Sequence, residues 1–162
     1  MRLALFQPEI PQNTGTLLRM GACLGVSVDI IGPCGFVFSE RRLRRAGMDY
    51  IDHVDFKEHT SWKAFLTSNT SVGKRIILVD VDGTHPYSEF QFSSDDILLL
   101  GQESVGVPND VRTACTESVH IPMQDSVRSL NVAIAASMVT GEALRQTKLF
   151  PVTKGVKYVQ FN

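Results

Sequence analysis

Cysteine is scarce in this sequence, and the cysteines that are present do not form recognisable pairs. The three are Cys23, Cys34 and Cys115, and no two of them are spaced as C-x-x-C. An odd, widely spaced set gives no sign of a metal knuckle or a redox site. We therefore expect reduced and mostly buried thiols in a reducing compartment.

Long hydrophobic runs are also absent. The first apolar run, at 3–6, meets Gln7, Pro8 and Glu9 at once, which is too early for the apolar region of a signal peptide. No run approaches the roughly 20 residues that a membrane-spanning helix needs. These absences predict a soluble, cytoplasmic protein with no membrane partner.

The sequence has no excess of either charge. It holds 16 Lys and Arg against 17 Asp and Glu, a net charge of -1, so no global field attracts a polyanion. Any nucleic-acid binding must use a local patch, and Arg41, Arg42, Arg44 and Arg45 can contact several phosphates together. A solvated helix face is the alternative interpretation of these arginines.

Several familiar site motifs are missing. Gly101 and Gly106 have the spacing of a phosphate loop, but Val107 and Pro108 follow where Lys and Ser or Thr are required. No G-x-G-x-x-G follows the first apolar run, and the 4 histidines lie at no recognised metal-ligand spacing. The sequence therefore predicts neither a nucleoside-triphosphate site nor a metal site.

The elements that are present indicate an α/β fold. A chain of 162 residues with 43% hydrophobic content can form one compact domain, which we assign to 1–150, leaving 151–162 as a tail without a role. Apolar runs alternate with helical patterns, and some runs are continuously apolar. This predicts a mostly parallel sheet with helices on both faces. The predicted strands are 3–6, 26–31, 76–79, 97–100 and 119–121.

Two helices have clear boundaries in the sequence. The first is predicted to begin near Asn13 and Thr14, whose side chains can cap free backbone N–H groups, and to stop at Gly25. The last is predicted over about 129–146 and is apolar on nearly every side. Such a helix has to be buried nearly all round, against its own sheet and a second subunit.

An acidic motif follows the predicted strand 76–79. Asp80 and Asp82 stand in a D-x-D-G-T pattern that resembles the first motif of the haloacid-dehalogenase-like phosphatases, in which the first aspartate is a nucleophile. Asp95 and Asp96 form the sole later acidic pair. They precede a strand and would lie at the wrong edge of the sheet for a phosphatase. We keep this interpretation as an alternative that is not favoured.

Three separate segments at strand-to-loop junctions carry the stronger signal. They are 7–15 (Q-P-E-I-P-Q-N-T-G) leading to Arg19, 100–108 (L-G-Q-E-S-V-G-V-P), and 121–123 (I-P-M) leading to 129–133 (S-L-N-V-A). Together they resemble the three signature motifs of the SpoU/TrmH branch of the SPOUT methyltransferases. Pro33, Gly35, Phe36 and the run R-R-L-R-R-A-G-x-D-Y at 41–50 resemble the TrmL subfamily. The resemblance covers 1 to about 146.

This resemblance implies a fold, a reaction and its partners. The expected fold is a single SPOUT domain whose C-terminal third forms a deep trefoil knot, a rare exception to unthreaded folds. The expected reaction is S-adenosylmethionine-dependent 2′-O-ribose methylation of the wobble nucleotide, pyrimidine 34, of tRNA, without a metal. The expected partners are the tRNA anticodon loop and a second copy of the chain. A knotted RNA-binding protein without catalysis is the other alternative.

The resemblance also implies the site residues. Backbone groups at Val79, Gly101, Ile121, Ser129 and Leu130 are expected to hold the cofactor, and a side chain at 101 would block its close approach. Methyl transfer is an in-line displacement that needs both substrates held in place. Four residues are expected to serve it: Asn13 and Arg19 at the acceptor, Ser129 and Asn131 at the methyl-transfer pocket.

Side-chain chemistry limits the roles expected of Arg19 and Glu103. A guanidinium is essentially never deprotonated in proteins, so Arg19 is better suited to charge stabilisation or phosphate clamping than to proton abstraction. Glu103 is expected to be a buried structural carboxylate that accepts hydrogen bonds from backbone donors or from the partner subunit. The sequence departs from the family pattern at Gln102, Val105 and Gly141.

Overall fold

Seven parallel strands form one sheet in the structure, a computed structural model that describes residues 1–39, 49–69 and 73–152. The strands are β1 (Arg2–Phe6), β2 (Ser27–Ile31), β3 (Phe56–His59), β4 (Ile76–Val79), β5 (His85–Pro86), β6 (Ile97–Leu100) and β7 (Glu117–His120). Their order across the sheet is β3-β2-β1-β6-β4-β7-β5, and every neighbouring pair is parallel. The predicted parallel sheet is confirmed.

Helices cover both faces of this sheet. They are α1 (Pro11–Leu24), α2 (Trp62–Asn69), α3 (Asn109–Ala114) and α4 (Val132–Thr147), with a short 3-10 helix at Asp49–His53. Successive residues of a strand point to opposite faces, so Leu3 and Leu5 of β1 pack into the cluster that contains α1 and α4. Ala4 and Phe6 pack into the second cluster, with α2 and α3.

The structure corrects several predicted boundaries. Helix α1 begins at Pro11, two residues before the predicted start, and no side chain caps it. Proline suits the first helical position because an N–H there would have no hydrogen-bond partner within the helix. Gly25 ends α1 with a φ of 67°, as predicted. Helix α4 begins at Val132 rather than 129, because Asn131 is its capping residue.

Two strands were not predicted, and β7 begins and ends earlier than expected. Strand β3 carries exposed Lys57 and Glu58 at the edge of the sheet, and β5 has two residues, one of them a proline. Neither has the apolar run that marks β4 or β6. The C-terminal trefoil knot that the resemblance implies stays a prediction.

The cysteines differ from expectation in one case. Cys23 on α1 is exposed, whereas Cys34 and Cys115 are half-buried. Burial raises the pKa of the Cys115 thiol to about 11, so this thiol stays protonated at neutral pH. Among the helices in the described ranges, none is long and apolar enough to cross a membrane.

Two buried carboxylates are paired with cations inside the fold. Asp29 of β2 lies 2.6 Å from the Arg2 guanidinium and 2.7 Å from His59 Nε2. Asp96, just before β6, lies 2.7 Å from the Arg75 guanidinium. Each carboxylate is only 1% exposed. Asp96 lies at the amino end of β6, as predicted, and so at the edge of the sheet opposite the carboxyl ends of the strands.

Candidate functional site

A cleft of about 670 Å³ lies at the carboxyl ends of four neighbouring strands. In sheet order these strands are β1, β6, β4 and β7, and the three sequence motifs follow β1, β6 and β7. Parallel strands bring their carboxyl ends to one edge of the sheet, where α/β proteins place ligands. The sheet order thus brings together residues that are distant in sequence, such as Asn13 and Asn131, which are 118 positions apart.

The structure brings most of the predicted site residues to this cleft. Its lining includes all five positions expected to hold the cofactor and three of the four residues expected to serve catalysis, with Ser129 in both groups. These are Val79, Gly101, Ile121, Ser129 and Leu130, with Asn13 and Asn131. The roles of these residues stay predictions, but their proximity meets the first requirement of those roles.

The loop after β6 forms one wall of the cleft and closes on itself. Gln102 N–H donates to the carbonyl of Gly106 at 2.8 Å, and Gly106 N–H donates back at 3.0 Å. Gly106 has a φ of 69°, a conformation that favours glycine. A Cβ on Gly101 would lie 2.6 Å from the carbonyl carbon of Gly106. The loop's own backbone therefore requires glycine at 101, a reason that the sequence analysis did not identify.

A chain of hydrogen bonds crosses the cleft floor. Glu103 Oε1 accepts from Asn13 Nδ2 at 3.1 Å, and Asn13 Oδ1 accepts from Asn131 Nδ2 at 3.0 Å. Asn131 Oδ1 then accepts from the N–H groups of Ala133 and Ile134 at the start of α4. These hydrogen bonds join the loop after β6, the first turns of α1 and the beginning of α4. They therefore fix the positions of the three segments relative to one another.

The side chains of Glu103 and Glu9 link the first two motifs, each accepting hydrogen bonds from residues of the other motif. Glu103 accepts from the N–H groups of Glu9 and Ile10, at 2.8 and 3.3 Å. Glu9 accepts from Ser104 N–H at 2.9 Å and from Ser104 Oγ at 2.8 Å. Glu103 is half-buried rather than buried, but backbone donors hold it as expected. Glu9 was not predicted, because nothing in the local sequence reveals a partner 95 residues away.

Asp80 is held in an ion pair at the cleft wall. Its Oδ2 lies 2.8 Å from Arg112 NH2, and its Oδ1 accepts from Asp82 N–H at 3.0 Å. A phosphatase nucleophile needs a free carboxylate oxygen and a nearby acidic pair for magnesium, but Asp96 lies at the opposite edge of the sheet, paired with Arg75. Arg112 was not predicted as a cleft residue, and its sequence position after the second motif is the only available signal.

Arg19 does not line this cleft in its own chain. It is exposed on α1, with its guanidinium carbon 4.6 Å from the centre of the Tyr50 ring. Its NH2 group donates to Tyr50 Oη at 3.4 Å. Arg19 lies six residues after Asn13, and at about 100° per residue it faces a direction about 120° away from Asn13.

Two further predictions concern RNA binding and the surface of α4. Arg41, Arg42, Arg44 and Arg45, the predicted RNA-binding patch, lie outside the described residues. Helix α4 exposes Ile134 and Met138 at 54% and 37%, and Ser137 between them contacts half-buried Met20 of α1 at 3.2 Å. The single chain therefore does not bury α4 nearly all round. Within the described ranges, no group of three or more metal-ligating side chains is present.

Comparisons with known proteins agree on one family. The model of the SpoU rRNA Methylase family matches residues 1–141. A tRNA (cytidine(34)-2'-O)-methyltransferase of Beijerinckia indica subsp. indica is 53% identical, over 89% of this chain and 90% of that protein. The enzyme of the same name from Escherichia coli K12 is 35% identical, over 90% and 93%.

Solved structures give the same result. One, from work on the 2-OH methylation of C/U34 on tRNA, has a TM-score of 0.83 and 42% identity, over 90% of this chain and 94% of that one. The SpoU methyltransferase AviRb from Streptomyces viridochromogenes, in complex with AdoMet, has a TM-score of 0.81 and 26% identity, over 90% and 57%. The match of the family model over most of the chain, together with these relatives, shows that the chain belongs to the SpoU methylase family.

Proposed function

We propose that this chain transfers a methyl group from S-adenosylmethionine to the 2′-oxygen of nucleotide 34 of tRNA. The observation that carries the proposal is the 53% identity to a tRNA (cytidine(34)-2'-O)-methyltransferase over nine-tenths of both chains. The cleft supports it, since the three family motifs meet there. The phosphatase alternative is wrong, because the family is a different one and Asp80 is already paired with Arg112.

The cleft fits the proposed cofactor. Its walls combine apolar side chains, such as Leu100 and Ile121 at 2% and 8% exposure, with backbone at the strand ends. An adenine ring suits apolar walls, and backbone amides and carbonyls can bind its polar edge. We assign cofactor binding to Val79, Gly101, Ile121, Ser129 and Leu130. S-adenosylmethionine supplies an electrophilic methyl group there, and a metal is not needed.

The chain's own residues then have to orient the acceptor. The transfer forms a carbon–oxygen bond, breaks a carbon–sulfur bond and releases the hydroxyl proton. Asn13 and Asn131 hydrogen-bond to each other and fix the floor on which the acceptor lies. Arg19 keeps its positive charge and stabilises negative charge on the acceptor oxygen or clamps a phosphate.

We further propose that the enzyme is a homodimer in which Arg19 serves the cleft of the partner subunit. Two observations support this arrangement. Arg19 faces away from its own cleft. Helix α4 exposes Ile134 and Met138, and Ser137 between them donates to Met20 Sδ of α1 at 3.2 Å, one residue after Arg19. A second copy would bury these apolar side chains and bring its Arg19 towards the first cleft.

Mixed dimers test the shared site. Arg19→Ala chains have an intact cleft, and Gly101→Ala chains have an intact Arg19. If Arg19 acts across the interface, a mixture of the two variants is more active than either alone at a cofactor concentration that the Gly101→Ala site does not bind, because each mixed dimer has one complete site. Absence of recovery, with mixed dimers verified by co-purification of two differently tagged chains, would place Arg19 in the cleft of its own chain.

Methyl transfer itself is the test of the proposed function. Labelled S-adenosylmethionine is incubated with tRNA that lacks its native modifications, and the methylated nucleotide is mapped. Label on the ribose of nucleotide 34 supports the proposal. Label elsewhere would overturn the substrate assignment. Cofactor binding without any transfer would favour the non-catalytic RNA-binding alternative.

The arginine patch has a separate test. We propose that Arg41, Arg42, Arg44 and Arg45 contact the phosphates of the anticodon loop. Replacing Arg42, Arg44 and Arg45 by Ala should weaken tRNA binding and make its salt dependence shallower, since fewer counterions are released. An unchanged salt slope would remove this patch from the RNA-binding surface.

A further inference from the structure

Tyr50 is the last residue of the R-R-L-R-R-A-G-x-D-Y run, and the proposed reaction gives it no role. It lies in the short helix Asp49–His53, which packs beside α1. Its ring lies under the guanidinium of Arg19, with 4.6 Å between the guanidinium carbon and the ring centre. Its hydroxyl oxygen accepts a hydrogen bond from Arg19 NH2 at 3.4 Å.

The contact differs from the ion pairs that other arginines make in the described part of the chain. Arg75 also lies over a ring, that of Phe90 at 5.5 Å, but its guanidinium is paired with Asp96 as well. Arg2, Arg75, Arg112 and Arg145 each pair with a carboxylate. The ion pairs of the described ranges do not include Arg19, whose neighbour is an uncharged ring. A carboxylate would hold the guanidinium and also neutralise it. An aromatic ring holds the guanidinium through cation–π attraction and leaves its charge available for another group.

Such an arrangement matters for an arginine on a helix surface. Arg19 is exposed, and an arginine side chain has many rotamers that it must lose before it can act on a substrate. A ring beneath the guanidinium selects one orientation of the guanidinium plane in advance. Groups that are fixed before the reaction stabilise the transition state without reorganising during it.

We infer that Tyr50 is a positioning residue for Arg19, holding its guanidinium in a fixed orientation while leaving its positive charge free for the acceptor nucleotide. The inference rests on the proposed function for what Arg19 does, and on the contact itself for what Tyr50 does. Tyr50 is 37% exposed, so RNA could instead stack on its ring directly, and the test separates these two roles.

Two substitutions at 50 separate the ring from the hydroxyl. Tyr50→Phe keeps the ring and removes the accepting oxygen, and its rate constant should stay within about threefold of wild type. Tyr50→Leu keeps apolar bulk and removes the ring, and its kcat for tRNA methylation should fall on the order of 10-fold. The dissociation constant for S-adenosylmethionine should not change in either variant. Equal rates for Tyr50→Leu and wild type would overturn the inference.

The Arg19→Lys background tells positioning apart from direct RNA contact. A lysine has no planar guanidinium to orient, so Tyr50→Leu should change its residual single-turnover rate by less than about twofold. If Tyr50→Leu costs the same factor in both backgrounds, Tyr50 acts independently of Arg19, and the positioning role is wrong. Direct stacking of RNA on the ring would also raise KM for tRNA in both backgrounds rather than lower kcat.

A spectroscopic measurement removes the dependence on variants that fold poorly. In wild-type protein, the side-chain protons of Arg19 should show upfield ring-current shifts, and its Nε–H group should be ordered on the nanosecond timescale. Both signatures should survive Tyr50→Phe and disappear in Tyr50→Leu. A mobile Arg19 without ring-current shifts in the wild type would overturn the inference. Failure of the wild type to methylate tRNA would overturn the proposed function. The measurement does not depend on activity, so it would still test the contact between Arg19 and Tyr50.

Discussion

Carboxylates inside the sheet and carboxylates at the cleft are held by different kinds of partner. Asp29 and Asp96 are each 1% exposed, and both face positively charged or ionisable side chains. Glu9 and Glu103 are half-buried and accept from backbone N–H groups, a serine and an asparagine. Asp29 and Asp96 balance positive charge within the fold. Glu9 and Glu103 hold together loops that are distant in sequence. Stability and site geometry should therefore respond to different substitutions.

The largest expected effect is on stability, from the buried pair of Asp29. Asp29→Asn places an amide between Arg2 and His59 and removes the negative charge that both contact. Breaking a buried ion pair on one side is strongly destabilising, and we expect a loss of about 3 kcal/mol in the free energy of unfolding. Urea denaturation measures this loss. Cofactor affinity of the folded variant should change by less than about twofold, as calorimetric titration would show.

Asp55 provides the matched control for that substitution. It contacts the same Arg2 at 3.5 Å, but its side chain is 76% exposed. Asp55→Asn should therefore cost less than about 0.5 kcal/mol. Equal losses for the two variants would mean that burial does not decide the strength of these pairs.

The second expected effect combines stability with cofactor binding. Gly101→Ala introduces a Cβ that would lie 2.6 Å from the backbone of Gly106, so the loop after β6 has to open. Overpacking of this kind typically costs about 1–3 kcal/mol. We expect cofactor affinity to fall by at least about 10-fold, or about 1.4 kcal/mol, because the loop lines the cleft. Calorimetric titration with S-adenosylmethionine measures this affinity.

Gly141 is the matched control for the glycine substitution. A Cβ at 141 in α4 has no heavy atom within 4 Å. Because Gly141 lies on the same face of α4 as Ile134 and Met138, this control is measured on cofactor affinity alone, which Gly141→Ala should leave unchanged. Unchanged affinity in Gly101→Ala would show that the loop does not hold the cofactor.

The third expected effect is on the cleft alone. Glu9→Gln removes the negative charge and keeps one oxygen to accept from Ser104 N–H, while its NH2 group can donate to Ser104 Oγ only if the hydroxyl reverses its role from donor to acceptor. We expect the dissociation constant for S-adenosylmethionine to rise about fivefold, with less than about 1 kcal/mol lost in unfolding free energy. Exposed Glu89 serves as the control, and Glu89→Gln should change neither quantity. A large stability loss in Glu9→Gln would erase the distinction between the two groups of carboxylates.

The sequence predicted the centre of the sheet well and its edges poorly. Strands β4 and β6 were predicted with their observed bounds, since both faces of these strands are buried and the runs are continuously apolar. Edge strand β3 has only one well-buried residue, His59, and β5 is too short for any periodicity. A strand could therefore be predicted from the sequence when both of its faces are buried.

The sequence predicted which residues lie near the cleft, but not which side chains contact each other there. Motifs placed Asn13, Gly101 and Asn131 near one cleft, because parallel strands end at a common edge. Contacts such as Glu9 with Ser104 depend on the sheet order, which single-sequence patterns do not give. Helical phase offered a signal for Arg19, since six residues of helix turn it away from Asn13.

The smallest expected effect comes from a carboxylate that belongs to neither group. On the surface of α4, hydrogen bonds from Arg145 and then Gln146 lower the pKa of Glu142 to about 2. A lowered pKa means that the pair contributes stability above the ordinary value of 4.5 and loses it as the pH falls towards 2. The Arg145 side chain is 68% exposed, so water and salt screen the pair.

Glu142→Gln should consequently have the same urea midpoint as wild type, within error, at pH 7 and physiological salt. Any difference that appears at low ionic strength should vanish as the pH falls from 4.5 to about 2, because wild-type Glu142 then becomes neutral as well. Denaturation at several pH values measures this. A loss at pH 7 comparable to that of Asp29→Asn would mean that pairing with a cation, rather than burial of the pair, sets the stability of carboxylates in this protein.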